Sequence, residues 1–482
     1  MTVLDKCSFV LGMVRKHGIR GLFWKILERR RDTVERAYVK HWQEYCMTGE
    51  EWKIQRNTNF DHMPLVSLVV PAYETPREFL TALVESVQQQ TYENWELCIA
   101  DGSPSEQVAK QVQELSSQDE RIRYQHLPSN GGIAENTNAG LAMAKGEYVG
   151  FLDHDDMLAA NALYEVVRLI NARPAADVIY TDEDKVDAAG EQHFRPHFKL
   201  DYNREMLLHY NYICHFLVVK KELLNRAGGL RSQYNGAQDY DLVLRLAELT
   251  DEFHHIDKIL YHWRVHRNST AGSSLSKDYA YDAGRRALED CVKRRQLNAR
   301  VRRAPGGGFY EMMYEENPAS MEEIDLQEVH SDAALRERVR QSRASYLLLW
   351  DSKSVYPAAE REKRELLQLC MQRKIGLAGV RYRKRGRIVS AGIHMLPQGG
   401  YEYGFQGLPI HFKGYFDRCV IRQNVDAVPL DYCIVRREAF LAAADIHEKL
   451  QTMEGAVALG RRMRAAGYEV VLDARVTVKC KG

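Results

Sequence analysis

The sequence predicts an α/β protein built on a mostly parallel sheet with helices on both faces. Three observations carry that prediction. Short β-branched, apolar runs, the first at residues 65–70, alternate with amphipathic stretches at the spacing of right-handed crossovers. These runs are almost continuously apolar, as strands buried on both faces are. Each ends in polar residues, Tyr73, Asp101, Asp153 and Asp155, which a parallel sheet collects at its carboxyl edge, where ligands bind.

Residues 1–62 read as a basic helical segment. Phe9, Val10, Met13 and Val14, then Leu22, Phe23, Ile26 and Leu27, recur at helical spacing. The first 40 residues hold ten Lys/Arg against four Asp/Glu, with Arg29, Arg30 and Arg31 in a run. Such a helix suits the surface of an anionic membrane, or docks on its neighbour with a solvated basic face. After it, residues 65–70, 95–100 and 122–126 read as strands, and 79–90 and 106–116 as helices. Asn130-Gly131-Gly132 opens the next helix, which delivers the chain to a short strand at 148–152.

That strand ends in Asp153-His154-Asp155-Asp156. Residues two apart on extended chain point the same way, so Asp153 and Asp155 face one point. Paired carboxylates repel unless neutralised, and a hard divalent cation such as magnesium or manganese suits their oxygens. A polar loop with helix-capping aspartates is the plainer reading of the same residues. No GxGxxG or GxxxxGK[ST] follows the first strand, which argues against dinucleotide dehydrogenases and P-loop enzymes. A nucleotide can still be held without them. Tyr73 can pack on a base, Asp101 can accept from a base N–H, and a metal on Asp155 can neutralise a diphosphate. Against this, Tyr73 can be a core aromatic and Asp101 a turn residue before Gly102.

Several stretches together carry a resemblance. They are Val66–Ala72 with Tyr73-Glu74, Ser86–Tyr92, Trp95-Glu96-Leu97, Asp101-Gly102-Ser103, Asn130–Ala134 and Gly146–Asp156. In order and spacing, over about 200 residues, they resemble family 2 glycosyltransferases, inverting enzymes of the Rossmann-like GT-A fold that use nucleotide-diphosphate sugars. The resemblance implies that Asp101 recognises the nucleobase and that Asp153-His154-Asp155 is the DxD motif. Asp155 would bind Mn2+ or Mg2+ directly. Asp153 would touch the ribose or the donor sugar, and share the metal. Pro71, Tyr73, Glu74 and Asn130 would line the nucleotide-sugar site.

Downstream, residues 177–180 read as a strand followed by Asp182-Glu183-Asp184, and residues 194–211 as an irregular aromatic stretch suited to an acceptor cleft or an ordinary loop. Strand 215–219 and helix 220–225 precede Gln238-Asp239-Tyr240-Asp241. The resembled family has an acidic pair at this point, whose Asp is the catalytic base; here Gln238 replaces the first acid. One base suffices for in-line attack by an acceptor hydroxyl, because the metal stabilises the leaving diphosphate. Asp239 takes that role, with Asp241 as second candidate; helix N-terminal acids favoured by the macrodipole are the alternative. In Ile259–His266, Arg264 can pair with the diphosphate. His262, with His266 as competitor, can complete the metal shell. Residues 269–276 suit a mobile lid, and helix 278–296 closes a domain spanning 63–300.

Residues 301–482 hold an internal echo. Ser345–Lys353 aligns with Glu147–Asp155 at an offset of 198, with Lys353 where Asp155 stands. Tyr432–Glu438 aligns with Phe216–Glu222, and no aspartate stands opposite Asp239. This half reads as a smaller, degenerate, inactive GT-A-like domain, serving acceptor binding, membrane docking, assembly or structural support.

The 482 residues carry a net charge of +1, which argues against a dedicated nucleic-acid binder. Nine cysteines are scattered singly, as in reduced cytosolic proteins, and no apolar run is long enough to span a bilayer. The expectation is a cytoplasmic enzyme, or one peripheral on the inner membrane face through its N-terminal helix. It would move a sugar from a nucleotide-diphosphate donor to a surface polysaccharide or lipid-linked glycan. Two other classes remain: a non-catalytic partner subunit that binds nucleotide sugar or glycan, and a nucleotidyltransferase of related fold, which the missing lysine-containing phosphate loop disfavours.

Overall fold

The computed structural model describes residues 33–482 apart from 118, 267–273, 305–306, 316–318, 397–398 and 444–447. The basic helix expected before residue 33 and most of the expected lid lie outside the described residues. Helices α1 (Thr33–His41) and α2 (Gly49–Arg56) lead into the first sheet. Its strands are β1 (Val66–Ala72), β2 (Trp95–Asp101), β3 (Ile122–His126), β4 (Tyr148–Phe151), β5 (Met157–Leu158), β6 (Val178–Val186), β7 (His193–His197), β8 (Leu217–Lys220) and β9 (Phe253–Arg264). The order is β3-β2-β1-β4-β8-β6-β9-β5, with β7 on β6. Strands β3, β2, β1 and β4 are mutually parallel, and β8 is inserted antiparallel between β4 and β6. Between them run α3 (Arg77–Gln88), α4 (Gln107–Ser116), α5 (Ile133–Met143), α6 (Ala162–Ala172), α7 (Arg204–Leu207), α8 (Lys221–Ala227), α9 (Gln238–Leu249) and α10 (Ser274–Arg294). This is the α/β, GT-A-like architecture expected.

Two expectations change. Asp182, Glu183 and Asp184 do not follow their strand but lie inside β6, because β6 continues to pair with β9 as far as Val186↔Arg264. Residues 194–211, expected as irregular, contain β7 and α7.

The sequence explains the central strands. Every residue of β1 is buried, so its apolar, β-branched character stabilises both faces. Pro71 is tolerated there because the ladder with β4 ends at Val69↔Phe151, leaving no bond for the missing N–H. The turn before α5 needs glycine: Gly132 has φ +85, and a Cβ would meet Asn235 Nδ2 at 2.7 Å.

A hairpin, β10 (Ala299–Arg303) and β11 (Tyr310–Tyr314), leads to a second sheet. It comprises β12 (Met321–Asp325), β13 (Tyr346–Trp350), β14 (Ile375–Lys384), β15 (Arg387–Ser390), β18 (Arg422–Asn424), β19 (Tyr432–Arg436) and β20 (Glu469–Lys479). Its order is β12-β13-β19-β14-β20-β18, with β15 on β14. A small ribbon, β16 (Ile393–Met395) and β17 (Tyr401–Tyr403), stands apart. Helices α11 (Asp332–Gln341), α12 (Glu360–Cys370), α13 (Arg437–Ala443) and α14 (Met453–Ala465) cover the sheet. Its pairing repeats the first: β12 is parallel to β13, β19 is antiparallel to both β13 and β14, and β20 is parallel to β14. Strand β12 forms its edge, where β1 of the first sheet carries β2 and β3.

The two sheets are tied closely. One apolar core runs from Val69, Val149 and Leu217 to Leu348, Ile434 and Val478. Asn203 Nδ2 donates to Asn424 O at 2.9 Å, and Asn424 N–H donates back to Asn203 Oδ1 at 2.9 Å. Phe416 stacks on His197 at 3.7 Å. Buried Arg422 donates to Asp473 Oδ2 at 3.1 Å and lies 3.6 Å from Glu205. Burial works against the Asp473 carboxylate, but Arg475 and Arg422 hold it far below the usual range.

Candidate active site

The acidic turn is built where β4 stops. Leu152 is buried, and the chain then leaves the sheet. Asp156 turns inward: Arg264 N–H donates to its Oδ1 at 2.7 Å and the Tyr261 hydroxyl to its Oδ2. Burial, with Asp155 and Asp153 beside it, pushes this carboxyl well above its ordinary value. Asp156 therefore anchors the turn, and Asp153 and Asp155 remain at the surface of the cleft. His266 Nε2 lies 2.8 Å from Asp155 Oδ2. His215 Nε2 lies 3.7 Å from Asp153 Oδ2; desolvation works to raise Asp153, but His215 holds it below its ordinary value.

Asp239 and Asp153 both line a cavity of about 650 Å³. Asp239 comes from the first turn of α9, and neither it nor Asp241 lies on the preceding loop. Asn211 Nδ2 donates to Asp239 Oδ2 at 2.7 Å, and the Cys214 thiol reaches the same oxygen at 3.6 Å. One carboxylate oxygen is thus held, leaving Oδ1 for a proton. Desolvation lifts Asp239 above the ordinary carboxylate value, against the nearby His215 charge. Asp241 is buried between Arg231 and Arg245, which it accepts at 3.0 Å each. Its role as second candidate base is corrected by that burial: it is an ion-pair anchor. Gln238 Oε1 accepts from Gly236 N–H at 2.8 Å, so it holds the turn before α9. Tyr210, Trp263, Tyr281 and Tyr310 also line the cavity.

At the end where the sequence places the nucleotide, Pro71 lines the cavity. Tyr73 is 45% exposed, which excludes the core-aromatic reading. Glu74 Oε1 accepts from Ser105 N–H at 3.2 Å, and Asn130 Oδ1 accepts from Gly132 N–H at 2.9 Å. Asp101 is fully buried: Oδ1 accepts from Ser103 N–H at 2.9 Å and Oδ2 from the Tyr124 hydroxyl at 2.8 Å. It ties the ends of β2 and β3 together.

Two residues of β9 stand elsewhere than expected. Arg264, expected to face a diphosphate, is 2% exposed. Its Nε donates to Asp155 O at 2.7 Å and Nη1 to Ala188 O at 2.9 Å, while Nη2 has no hydrogen-bond partner. It braces the acidic turn from behind. His262, expected beside Asp155, faces away. It pairs with Asp184 in the β6–β9 ladder, and its Nδ1 lies 2.6 Å from Asp184 Oδ1. The strand ends at Arg264, so His266 lies beyond the ladder and reaches Asp155.

Among the described residues, one group of three ligands and one carboxylate–imidazole pair can accept a cation. Asp184, His193 and His262 bring one ligand atom each within 4.8 Å. That set is closed over: the Tyr38 hydroxyl donates to Asp184 Oδ2 at 2.6 Å and Trp42 stacks on His193 at 4.2 Å. The second group, Asp155 and His266 with Asp153 nearby, is a carboxylate–imidazole set on the cleft, suited to manganese or magnesium. Sequence reading missed Asn211, Cys214 and His215 as site residues. Their only sequence signal was the aromatic, polar character of the stretch ending at Asn211.

Residues 67–228 match the family model described as Glycosyl transferase family 2. The chain carries a family 2 glycosyltransferase domain. It is 31% identical to the Uncharacterized protein y4gI of Sinorhizobium fredii, over 90% of this chain and 55% of that protein. It is 39% identical over 239 residues to the O-antigen biosynthesis protein RfbC of Myxococcus xanthus, over 49% of this chain and 19% of that protein. The chain therefore spans about half the length of the first relative and about a fifth of the second. A crystal structure of S. aureus TarS 1-349 in complex with UDP-GlcNAc aligns with TM-score 0.39 and 18% identity, covering 47% of this chain and 66% of that one. Among the described residues no helix is long and apolar enough to cross a membrane.

Proposed function

We propose that this chain is a metal-dependent, inverting glycosyltransferase that moves a sugar from a nucleoside-diphosphate sugar to a glycan or lipid-linked acceptor of a surface polysaccharide. The observation that carries the reading is the shared cavity, which both Asp153 and Asp239 line. A donor sugar held between them has the acidic turn on its diphosphate side and a base on its acceptor side. Asp239 Oδ1 takes the proton of the attacking hydroxyl while the diphosphate leaves from the opposite face, so the anomeric centre inverts. The acceptor class is supported by the similarity to a protein named for O-antigen biosynthesis.

Asp155 and His266, with Asp153, would hold the divalent cation. When bound it supplies charge neutralisation to the departing diphosphate. The Asp184 set is the weaker candidate because Tyr38 and Trp42 shut it off from the cleft. Exposed Tyr73, with Pro71, Glu74 and Asn130, forms the nucleotide end. Asp101 shapes that end through Tyr124, and meets a base once the Tyr124 hydroxyl gives way. We read residues 301–482 as a degenerate glycosyltransferase-like half: its sheet repeats the first, but Lys353 follows β13 where Asp155 follows β4.

The test is thermal stability against a panel of nucleoside-diphosphate sugars, with and without manganese, for wild type and Asp155→Ala. A ligand at about 100 times its Kd adds roughly 2.7 kcal/mol. A manganese-dependent shift for one donor, lost in the variant, supports the reading. No shift with any donor favours a non-catalytic subunit.

A further inference from the structure

The hairpin joining β14 to β15 and the strand end beside it carry a concentration of positive charge in a chain that is near-neutral as a whole. Arg383, Arg385, Arg387 and Lys479 are exposed, and Lys384 and Lys481 half-exposed. The pairing makes this costly. Arg383 stands opposite Lys479 in the β14–β20 ladder, and Lys384 opposite Arg387 in the hairpin. Like charges facing each other across a sheet destabilise it. Among the described residues no ion pair to an acid relieves any of the six. Arg387 donates to Gly407 O at 2.7 Å and Lys481 to Ser352 O at 2.7 Å, which leaves their charges intact. Of the acids in this region, Asp325 accepts from Gln327 and Ser352 N–H and feels Lys481 only at a distance, and Asp431 is partly enclosed beside Asp351. Tyr356, 47% exposed, lies alongside, its N–H donating to Lys479 O at 2.9 Å. The ammonium groups of Lys479 and Lys481 sit 5.3 and 4.9 Å from its ring centre.

We propose that this edge of the second sheet is a docking surface for an anionic lipid bilayer. The cations stand on a hairpin tip and a strand end, where they can meet a broad anionic plane together. An exposed tyrosine among lysines matches the headgroup level, where amphipathic rings settle and basic side chains meet anionic lipid. A single anionic glycan chain is the rival partner, but glycans are held by grooves that enclose their rings, and this is a projecting edge. The unrelieved repulsion is the cost of keeping the surface available, and an anionic plane removes it.

The experiment is pelleting of the full chain with vesicles of phosphatidylcholine alone or mixed with phosphatidylglycerol, at low and high salt. The wild type should pellet with the anionic vesicles only, and salt should release it. The triple variant Arg383→Glu, Arg385→Glu, Arg387→Glu should partition roughly a hundredfold more weakly. Its melting temperature should hold, because Arg383→Glu places a carboxylate opposite Lys479. Should it not fold, Lys384→Gln with Arg385→Gln at the hairpin tip provides a milder loss in the same direction. Equal binding to neutral vesicles, or full binding by the variants, would overturn the proposal. So would a wild type that ignores vesicles but is retained by soluble heparin, which would make the partner a polyanionic chain.

Discussion

Asp239→Asn isolates the chemistry from the fold. The substitution is isosteric, and an amide oxygen can still accept from Asn211 Nδ2, which donates to Oδ2 at 2.7 Å in the wild type. Desolvation already disfavours the ionised carboxylate, so removing the charge should leave the melting temperature level or slightly higher. On the proposed reading, what disappears is the group that accepts the acceptor's proton. Loss of a general base costs about 10²–10⁴ in rate, or about 2.7–5.5 kcal/mol of transition-state stabilisation at 1.36 kcal/mol per decade. The assay is release of nucleoside diphosphate in the presence of acceptor, using the donor that shifts the melting curve, with donor affinity measured in parallel. kcat should collapse while donor affinity stays close to wild type. Turnover within about tenfold of wild type would place the base elsewhere. Loss of donor affinity in step with rate would make Asp239 a binding residue.

The two histidines of β9 and its extension separate cleanly: His266→Ala should abolish the manganese-dependent part of donor stabilisation, and His262→Ala should leave it, as melting curves will tell. If Asp239 is the base, its ionised form is the active one, and because burial raises its value, activity should fall as pH drops through a range above that of ordinary carboxylates. Asn211→Ala removes a donor to that carboxylate and should move the acid limb of kcat/KM higher still; an unmoved limb with lower kcat would reduce Asn211 to a structural role. Asp473→Asn strands Arg422 in the core and unpairs the half-buried Arg475, and should cost about 3–5 kcal/mol in urea unfolding at neutral pH. That stabilisation is fully present above the ordinary carboxylate range and fades only as pH falls toward Asp473's depressed value.

The central strands of the first sheet were legible because they are buried on both faces. Val66–Ala72 and Trp95–Asp101 have no exposed positions, so unbroken apolar runs bounded by polar ends mark them directly. The acidic turn was legible for a related reason, since three aspartates right after a buried strand have few places to go. What each does was less so: Asp156 is identical in type to Asp153 and Asp155, yet only the ladder geometry of Arg264 and Tyr261 turns it inward. The histidine beside Asp155 depends on where β9 stops pairing: His262 lies inside the ladder, and His266 lies two residues past Arg264, its last residue. Asn211, Cys214 and His215 share no period, and their meeting around Asp239 and Asp153 is set by the path from α7 to β8. Arg264 was placed in the right region, but burial behind the turn is a property of packing that its neighbours in sequence do not announce.

The uninterrupted core that joins the sheets has a consequence for how such a chain can change over generations. Tyr310 lines the cavity, and Tyr346, Leu348 and Val478 share one apolar cluster with Val69 and Tyr240. A cut between the halves would expose that cluster on both pieces, so heating should give one calorimetric transition and not two. A half whose own chemistry had lapsed would then be kept by selection on folding alone. Deleting it would unmake its working neighbour, and its outer surfaces would be free to take up new roles.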